Sequence, residues 1–354
     1  MKTMHILGPF PPPFGGVAIH CVRLLEALRG RGISVHGLSL GGMPEGLQHV
    51  SLWRPWHLLT RTPVHYHTDE GNFRWMLLYS KLWRLLGTKY IVTVHSFRHR
   101  SEFKNSGIVR DLRKAYERAE AIVAISDEAA RDLQNELGVV HKRLKVIPSN
   151  LPMSNWESNG MLPTSLPEQW RAAPIRILAN AGAVTSVEGK DLYGIDVLLE
   201  ALQQVTDQRI GVCIAIGGVR DQALYHRIVK AAKLDARVCL VSDLNGPLAP
   251  LVKESHIVIR PTRTEGGPSL TVTEAMELGR WTIASDTVLR PAGCKTFRNE
   301  DASDLARAIS VCIEEVAVGN MPEPTQPYSQ ALTQLIHLYQ RLGFVSTTQT
   351  PAEV

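Results

Sequence analysis

Little in this sequence of 354 residues points to a disulfide-bonded, metal-centred or membrane-spanning protein. Its five cysteines, Cys21, Cys213, Cys239, Cys294 and Cys312, are scattered and form no paired metal-ligand spacing. An odd number also argues against a fully paired disulfide framework, so a reduced, cytoplasmic compartment is expected. No stretch reaches the roughly 18–20 apolar residues of a membrane span. The first residues run almost directly into "MHILGPFPPPFGG" without a basic segment and an apolar core, so no secretory leader is expected. The glycine-containing turns lack the GxGxxG dinucleotide spacing. No sustained basic-aromatic tract suggests a nucleic-acid partner, and no DxD-like or His/Asp constellation suggests a metal.

What is present is a globular composition, 44% hydrophobic and 21% charged. At 354 residues the chain exceeds the length at which single cores usually split, about 250–300, which predicts two domains. The formal charge of +5 allows attraction to phosphates or to an anionic membrane surface and identifies neither. Strand-like runs ("MHILG", "ISVHGLSL", "YIVTVHS", "AIVAIS", "LKVIPSN") alternate with helical patterns over residues 17–28, 73–87, 106–119 and 127–138, the last capped by Ser126. Residues 41–72 resist assignment. Such alternation predicts a mostly parallel sheet covered on both faces. The rhythm stops in the proline-rich stretch 151–174, read as a linker, and resumes with "IRILANAG". The final helix is expected within "SQALTQLIHLYQRLG", followed by a loose tail, "VSTTQTPAEV". The segment 73–87 interleaves Arg74, Lys81 and Arg84 with Trp75, Leu77, Leu78, Leu82, Trp83 and Leu85. That pattern fits an interfacial helix on a membrane surface and equally a helix packed on its own core.

Three turns carry the candidate chemistry. In "GPFPPPFGGVAIH", Gly15 and Gly16 precede a helix, where the missing side chains permit a ligand or simply a tight turn. In "NAGAVTSVEGKDLYGIDVLLEAL", Lys190 can balance diphosphate charge or be a solvated loop residue, while Asp191 and Asp196 fit turn and helix-start roles. In "RPTRTEGGPSLTVTEAMELG", Arg263 and Glu265 stand beyond a strand, Gly266 and Gly267 form a corner, and a helix carries Glu274. A carboxylate there can accept hydrogen bonds from vicinal hydroxyls, and nearby N–H groups can meet phosphate; it can also be a favourable helix-start charge. His95, at the end of "VTVH", is either a reactive group or a satisfied polar residue at a strand end. His5, His20, His36 and His99 have no comparable placement in the sequence.

These turns in this order, with "FPPPFGG", "VTVHSF", "AIVAISDEAARDL", "LKVIPSN", "YGIDVLLEAL" and "EGGPSLTVTEAMELG", resemble the retaining glycosyltransferases of family 4 over nearly the whole chain. The resemblance implies α/β domains in the GT-B arrangement, two Rossmann-like domains facing across a cleft. They divide as residues 1–165 on the acceptor side and 174–320 on the nucleotide-sugar side, with a helix within 325–343 packing back on the first. It places Gly15 and Gly16 near donor phosphate and acceptor, His95 near the transferred sugar, and Glu274 on the donor ribose. Lys190 is the nearest match to the phosphate-stabilising lysine, with Arg263 or Arg260 as other sources of charge. Two departures stand out. The family places seven residues between its two acids, whereas eight separate Glu265 from Glu274, so that Gly266 aligns with the first acid. The lysine slot before "GIDVLLEAL" holds Tyr193, three residues beyond Lys190.

The implied reaction moves a sugar from a nucleoside diphosphate (UDP-, GDP- or another) to a saccharide or lipid-linked saccharide hydroxyl. Retention is expected at the anomeric carbon, with no cofactor and no metal. Glu265 and His95 position the sugar, and surface polysaccharide or glycolipid synthesis is the setting. An anionic membrane surface is a further partner, the protein then being peripheral on its cytoplasmic side. The alternatives are a hydrolase or epimerase of the same fold, or a catalytically weakened sugar-nucleotide-binding protein.

Overall fold

A computed structural model of the chain describes residues 3–12, 14–40, 48–49, 59, 61–68, 73–95, 106–139, 141–242, 244, 246–267, 269–327 and 330–346. Ser96, His99, Pro268 and the tail residues 347–354 lie outside the described residues. The chain forms two compact units, Met1–Ser154 together with Tyr328–Val354, and Asn155–Pro327.

The first unit is built on seven parallel strands: β1 (Met4–Gly8), β2 (Val35–Ser39), β3 (Gln48–His49), β4 (Val64–Thr68), β5 (Tyr90–Val94), β6 (Ala121–Ala124) and β7 (Leu144–Val146). Their order is β3-β2-β1-β4-β5-β6-β7, so the chain winds outward in one direction from β1 and then in the other from β4. Side chains alternate across the sheet. Leu7, Tyr66, Val92 and Ile122 face α2 (Phe73–Leu86), α3 (Ser106–Glu117) and α4 (Asp127–Leu137), whereas Ile6, Ile91 and Val123 face α1 (Gly16–Gly30). Helix α4 begins and ends where the sequence signals it. The Ser126 hydroxyl accepts from the Ala129 N–H at 3.1 Å, and Gly138 closes the helix in the left-handed region at φ 62°.

The stretch read as a linker belongs to the second unit from Asn155 onward. It carries α5 (Asn155–Ser158) and α6 (Glu168–Arg171), and Trp170 is buried with its indole N–H donating to the Ile177 carbonyl at 3.0 Å. Prolines and polar residues mark an irregular path, but the Trp170 ring anchors that path to a sheet. The first unit therefore stops at Ser154, short of the expected residue 165.

Strands β8 (Ile175–Ala181), β11 (Ile210–Ile216), β12 (Val238–Val241), β13 (Ile257–Arg260), β14 (Trp281–Ser285) and β15 (Lys295–Phe297) form the second parallel sheet, in the order β12-β11-β8-β13-β14-β15. A small antiparallel hairpin, β9 (Ser186–Val187) with β10 (Lys190–Asp191), projects beyond β8. Ile177, Ile214, Ile259 and Ile283 pack under α7 (Ile195–Gln204), α8 (Gln222–Ala232) and α11 (Ala302–Ala317). On the other face Leu178, Cys213 and Val258 meet α6, α9 (Ala249–Glu254) and α10 (Leu270–Glu277). The chain then returns to the first unit as α12 (Ala331–Arg341), whose Leu332, Leu335, Ile336 and Tyr339 join α1 over Met4, Ile6 and Ile91.

Both units are thus doubly covered parallel sheets of Rossmann type. Each has a switch point where the winding reverses, between β1 and β4 in the first and between β8 and β13 in the second. Ligands of such sheets bind beyond the carboxyl ends of the strands at that crevice.

Candidate functional site

In the second unit the switch point places Asn180, near the end of β8, beside Arg260, the last residue of β13. Arg260 donates through Nε to Glu265 Oε1 at 2.8 Å and through Nη1 to the Asn180 carbonyl at 3.3 Å. Its guanidinium lies over the Tyr193 ring, 5.0 Å from the centroid. Glu265 is buried at 5% exposure, and its second oxygen accepts from Arg290 Nη1 at 2.5 Å. Arg290 in turn donates to the Ser285 carbonyl and to the Ser285 and Thr287 hydroxyls. Burial alone pushes the Glu265 carboxyl up, but Arg260 and Arg290 outweigh it and hold the group below its usual range. The result is a buried triad of two cations and one anion, in which Arg290 is tied down and Arg260 retains some exposure.

Lys190 and Arg263 form a different network. Lys190 sits at the exposed position of the hairpin strand β10 and pairs with Glu300 at 2.6 Å, its side chain 58% exposed. Arg263 donates to the Asp191 carbonyl and to both Asp196 oxygens, at 2.6, 2.7 and 3.0 Å, and reaches Glu300 at 3.3 Å. Two cations here face two acids. Asp191 accepts from the Tyr193 and Ile195 N–H groups, which accounts for it as a turn and helix-start residue. Gly194 caps α7 at φ 65°, with the Pro261 carbonyl oxygen only 1.9 Å from where a Cβ would be. That contact requires glycine and locks the Tyr193 turn onto the strand end carrying Arg260.

Glu274 is buried at 4% exposure in α10, which starts after Ser269. Gly266 and Gly267 lie in the turn that separates Glu265 from that helix. Glu265, before that turn, is held by Arg260 and Arg290.

In the first unit, Gly15 and Gly16 stand exposed at the start of α1, and a Cβ at either would meet nothing within 4 Å. Neither packing nor a left-handed φ demands glycine there; what the pair leaves is open backbone at a helix N-terminus. His95 follows β5, is 7% exposed, and lies 3.1 Å (Nε2) from His67 Nδ1. His20, on the buried face of α1, completes a group of three histidines whose ligand nitrogens lie within 4.8 Å of one another. His65 is next to them, held at Nδ1 by the Tyr339 hydroxyl (2.6 Å) and at Nε2 by the Thr93 hydroxyl (2.7 Å).

Burial pushes the His20 imidazole down to about 4, against the opposing pull of its hydrogen bond to the Ser149 carbonyl. His65 falls to about 3 for the same main reason, with His20 adding to it. His67 and His95 are lowered by burial and then by the neighbouring imidazoles, so all four rings are neutral near pH 7.

The sequence gives no reason to single out Arg290, His65 or His67, and it leaves His20 without a role. A signal does exist for the two histidines of β4. In "VHYHT", His65 and His67 are two apart and hence on one face of a strand, opposite Val64 and Tyr66. Recognising it requires assigning a five-residue strand inside residues 41–72.

Residues 14–149 match the family described as Glycosyltransferase Family 4, and residues 179–315 match the one described as Glycosyl transferases group 1. No curated protein sequence matches the chain significantly. Among solved structures, a glycosyltransferase from Rickettsia africae ESF-5 is similar at a TM-score of 0.64 and 15% identity, over 97% of this chain and 99% of its own. Anabaena HepE (Alr3699) in complex with UDP-glucose is similar at 0.66 and 14% identity, over 96% and 98%. WaaG, a glycosyltransferase involved in lipopolysaccharide biosynthesis, is similar at 0.59 and 12% identity, over 95% and 99%.

Proposed function

The chain belongs to the family 4 (group 1) glycosyltransferases of GT-B fold, and from that premise we infer that it moves a sugar from a nucleoside diphosphate to a hydroxyl acceptor with retention of configuration. The observation that carries this reading is the Arg260–Glu265–Arg290 group with its surplus positive charge at the β8/β13 switch point, in the same unit as the buried Glu274 on α10. Glu274 is proposed to accept the ribose hydroxyls, and His95 to position the transferred sugar. HepE, a relative in fold, holds UDP-glucose, which supports a nucleotide sugar as the donor class here.

Transfer requires positive charge where the diphosphate departs. Lys190 and Arg263 are each neutralised by acids, and Lys190 is largely solvated. Arg260 carries net charge from a triad with a surplus cation, at the strand end nearest the switch point. We therefore assign the departing phosphate to Arg260, with Glu265 holding its guanidinium in place. Arg260→Met is expected to lower transfer about 10–100-fold, Arg260→Lys less, and Lys190→Met under about threefold. Steady-state rates with the matched donor check this ranking, and the reverse order returns the role to Lys190.

The acceptor is proposed to be a saccharide hydroxyl presented at an anionic membrane surface, in surface polysaccharide or glycolipid synthesis. Met76, Tyr79 and Trp83 bury one side of α2, while Arg74, Leu78, Lys81 and Leu85 form an exposed stripe at helical spacing. A mixed cationic and apolar stripe suits an interfacial position. Among the described residues no helix is long and apolar enough to cross a membrane.

The test is a panel of nucleotide sugars measured for binding and turnover, repeated with membrane lipid extract. One donor should bind, and turnover should rise with lipid present. Glu274→Gln should weaken donor affinity by about tenfold. Failure of every nucleotide sugar to bind removes the reading. Donor binding with no transfer to any acceptor moves the chain to the weakened, binding-only class, and sugar release or epimerisation without acceptor marks the hydrolase or epimerase.

A further inference from the structure

The three-histidine group in the first unit has more coordinating capacity than its hydrogen bonds use. His20 Nδ1 lies 2.5 Å from the Ser149 carbonyl oxygen, which can only accept, so the proton is on Nδ1 and Nε2 carries a lone pair. That Nε2 is buried with no hydrogen-bond partner, and so is Nε2 of His67. Leaving two buried nitrogens unsatisfied costs on the order of 1–3 kcal/mol each. His65, by contrast, has both nitrogens engaged and stands outside the group.

We propose that His20, His67 and His95 together bind one divalent transition ion of the zinc class. Tetrahedral zinc with Zn–N near 2.0–2.1 Å sets its ligand nitrogens about 3.3 Å apart. The three present nitrogens lie within 4.8 Å, so ring rotations and shifts of up to about 1.5 Å close the set. The Ser149 carbonyl supplies what a histidine ligand usually has behind it, an acceptor that fixes the tautomer and orients the ring. His95 completes the set by exchanging its contact with His67 for the ion, and its slight exposure gives the side from which an ion enters. An all-imidazole site suits zinc, copper or nickel and excludes magnesium and calcium, which require oxygen ligands.

The ion is no cofactor of the proposed transfer. It takes up His95, the residue proposed to position the sugar, so binding of the ion and productive binding of the sugar compete. The assignment stands on the first unit alone and does not depend on the transferase reading.

The experiment is equilibrium dialysis of the full chain, free of any polyhistidine tag, against Zn2+, with metal content measured and no nucleotide sugar present. One Zn2+ per chain is expected. His20→Ala and His67→Ala should each weaken binding by at least the roughly 10–100-fold that loss of an outer-shell partner costs. His36→Ala, at an exposed position of β2, should leave it unchanged. Co2+ added to the unaltered chain should give the visible absorption of a tetrahedral nitrogen site, which decides the matter if either cluster variant fails to fold. Substoichiometric Zn2+ in the unaltered chain, an octahedral Co2+ spectrum, or equal binding by the folded variants overturns the proposal.

Discussion

Replacing Glu265 by alanine is expected to destabilise the second unit by about 3–5 kcal/mol, because it strands two guanidinium groups that share one buried counter-ion. Both carboxylate oxygens are engaged, by Arg260 at 2.8 Å and Arg290 at 2.5 Å, and the side chains of Glu265 and Arg290 are almost wholly out of water. Urea unfolding should show the transition of the second unit at a much lower midpoint with an unchanged slope. Replacing all three residues by apolar side chains of similar volume should recover most of the loss, since an intact buried ion group is worth little net stability. The pH dependence follows from the direction of the Glu265 shift. Its folded-state carboxyl lies below the ordinary value of 4.5, so the stabilisation is complete above that pH and is lost as pH falls through the lower folded value. A Glu265→Ala chain should therefore lose the part of the acid dependence that this residue contributes. Unaltered stability combined with loss of transfer would make Glu265 a sugar ligand and not the anchor of Arg260.

Gly194→Ala is expected to cost more than about 4 kcal/mol, at the exceptional end for a single substitution. Two separate penalties combine there. The residue caps α7 in the left-handed region at φ 65°, which costs a non-glycine residue about 1–2 kcal/mol. Its Cβ would also stand 1.9 Å from the Pro261 carbonyl oxygen, a backbone atom that cannot swing aside. Gly189 provides the control: it too has a positive φ, 78°, but a Cβ there would meet nothing within 4 Å. Gly189→Ala should cost only the backbone strain, about 1–2 kcal/mol. Thermal unfolding of the two variants separates crowding from strain, and equal losses would contradict the close approach of α7 to the end of β13. Because Tyr193 precedes Gly194 and underlies Arg260, a partly folded Gly194→Ala chain should also lose donor affinity.

Much of the fold was legible in the chain because its signals are local. The runs "AIVAIS" and "IGVCIAIGG" are nearly all apolar, as strands covered on both faces must be. Ser126 and Gly138 bracket α4 through hydrogen bonds and a backbone angle that those residue types favour by themselves. The strand β4 was not legible, since five residues with two histidines carry too weak a pattern to stand out from residues 41–72. The stretch 151–174 read as a linker contains the boundary after Ser154, but prolines and turn residues register irregular backbone and say nothing of where a tryptophan such as Trp170 is buried.

The sequence by itself determined the fold class, the two sheets and the family, which follow from periodicity, turn chemistry and motif order. It also named His95, Lys190, Arg263 and Glu265 near strand ends, and Glu274 on the helix that follows. Only the tertiary structure decided which of these are committed to one another. Glu265 belongs to Arg260 and Arg290, 5 residues before it and 25 after, while Lys190 belongs to Glu300, 110 residues away. His20, His67 and His95 meet from a helix and two strand ends. Pairings at such separations are fixed by strand order and helix docking, and Coulomb and hydrogen-bond energies act over ångströms of space, to which distance along the chain is no guide.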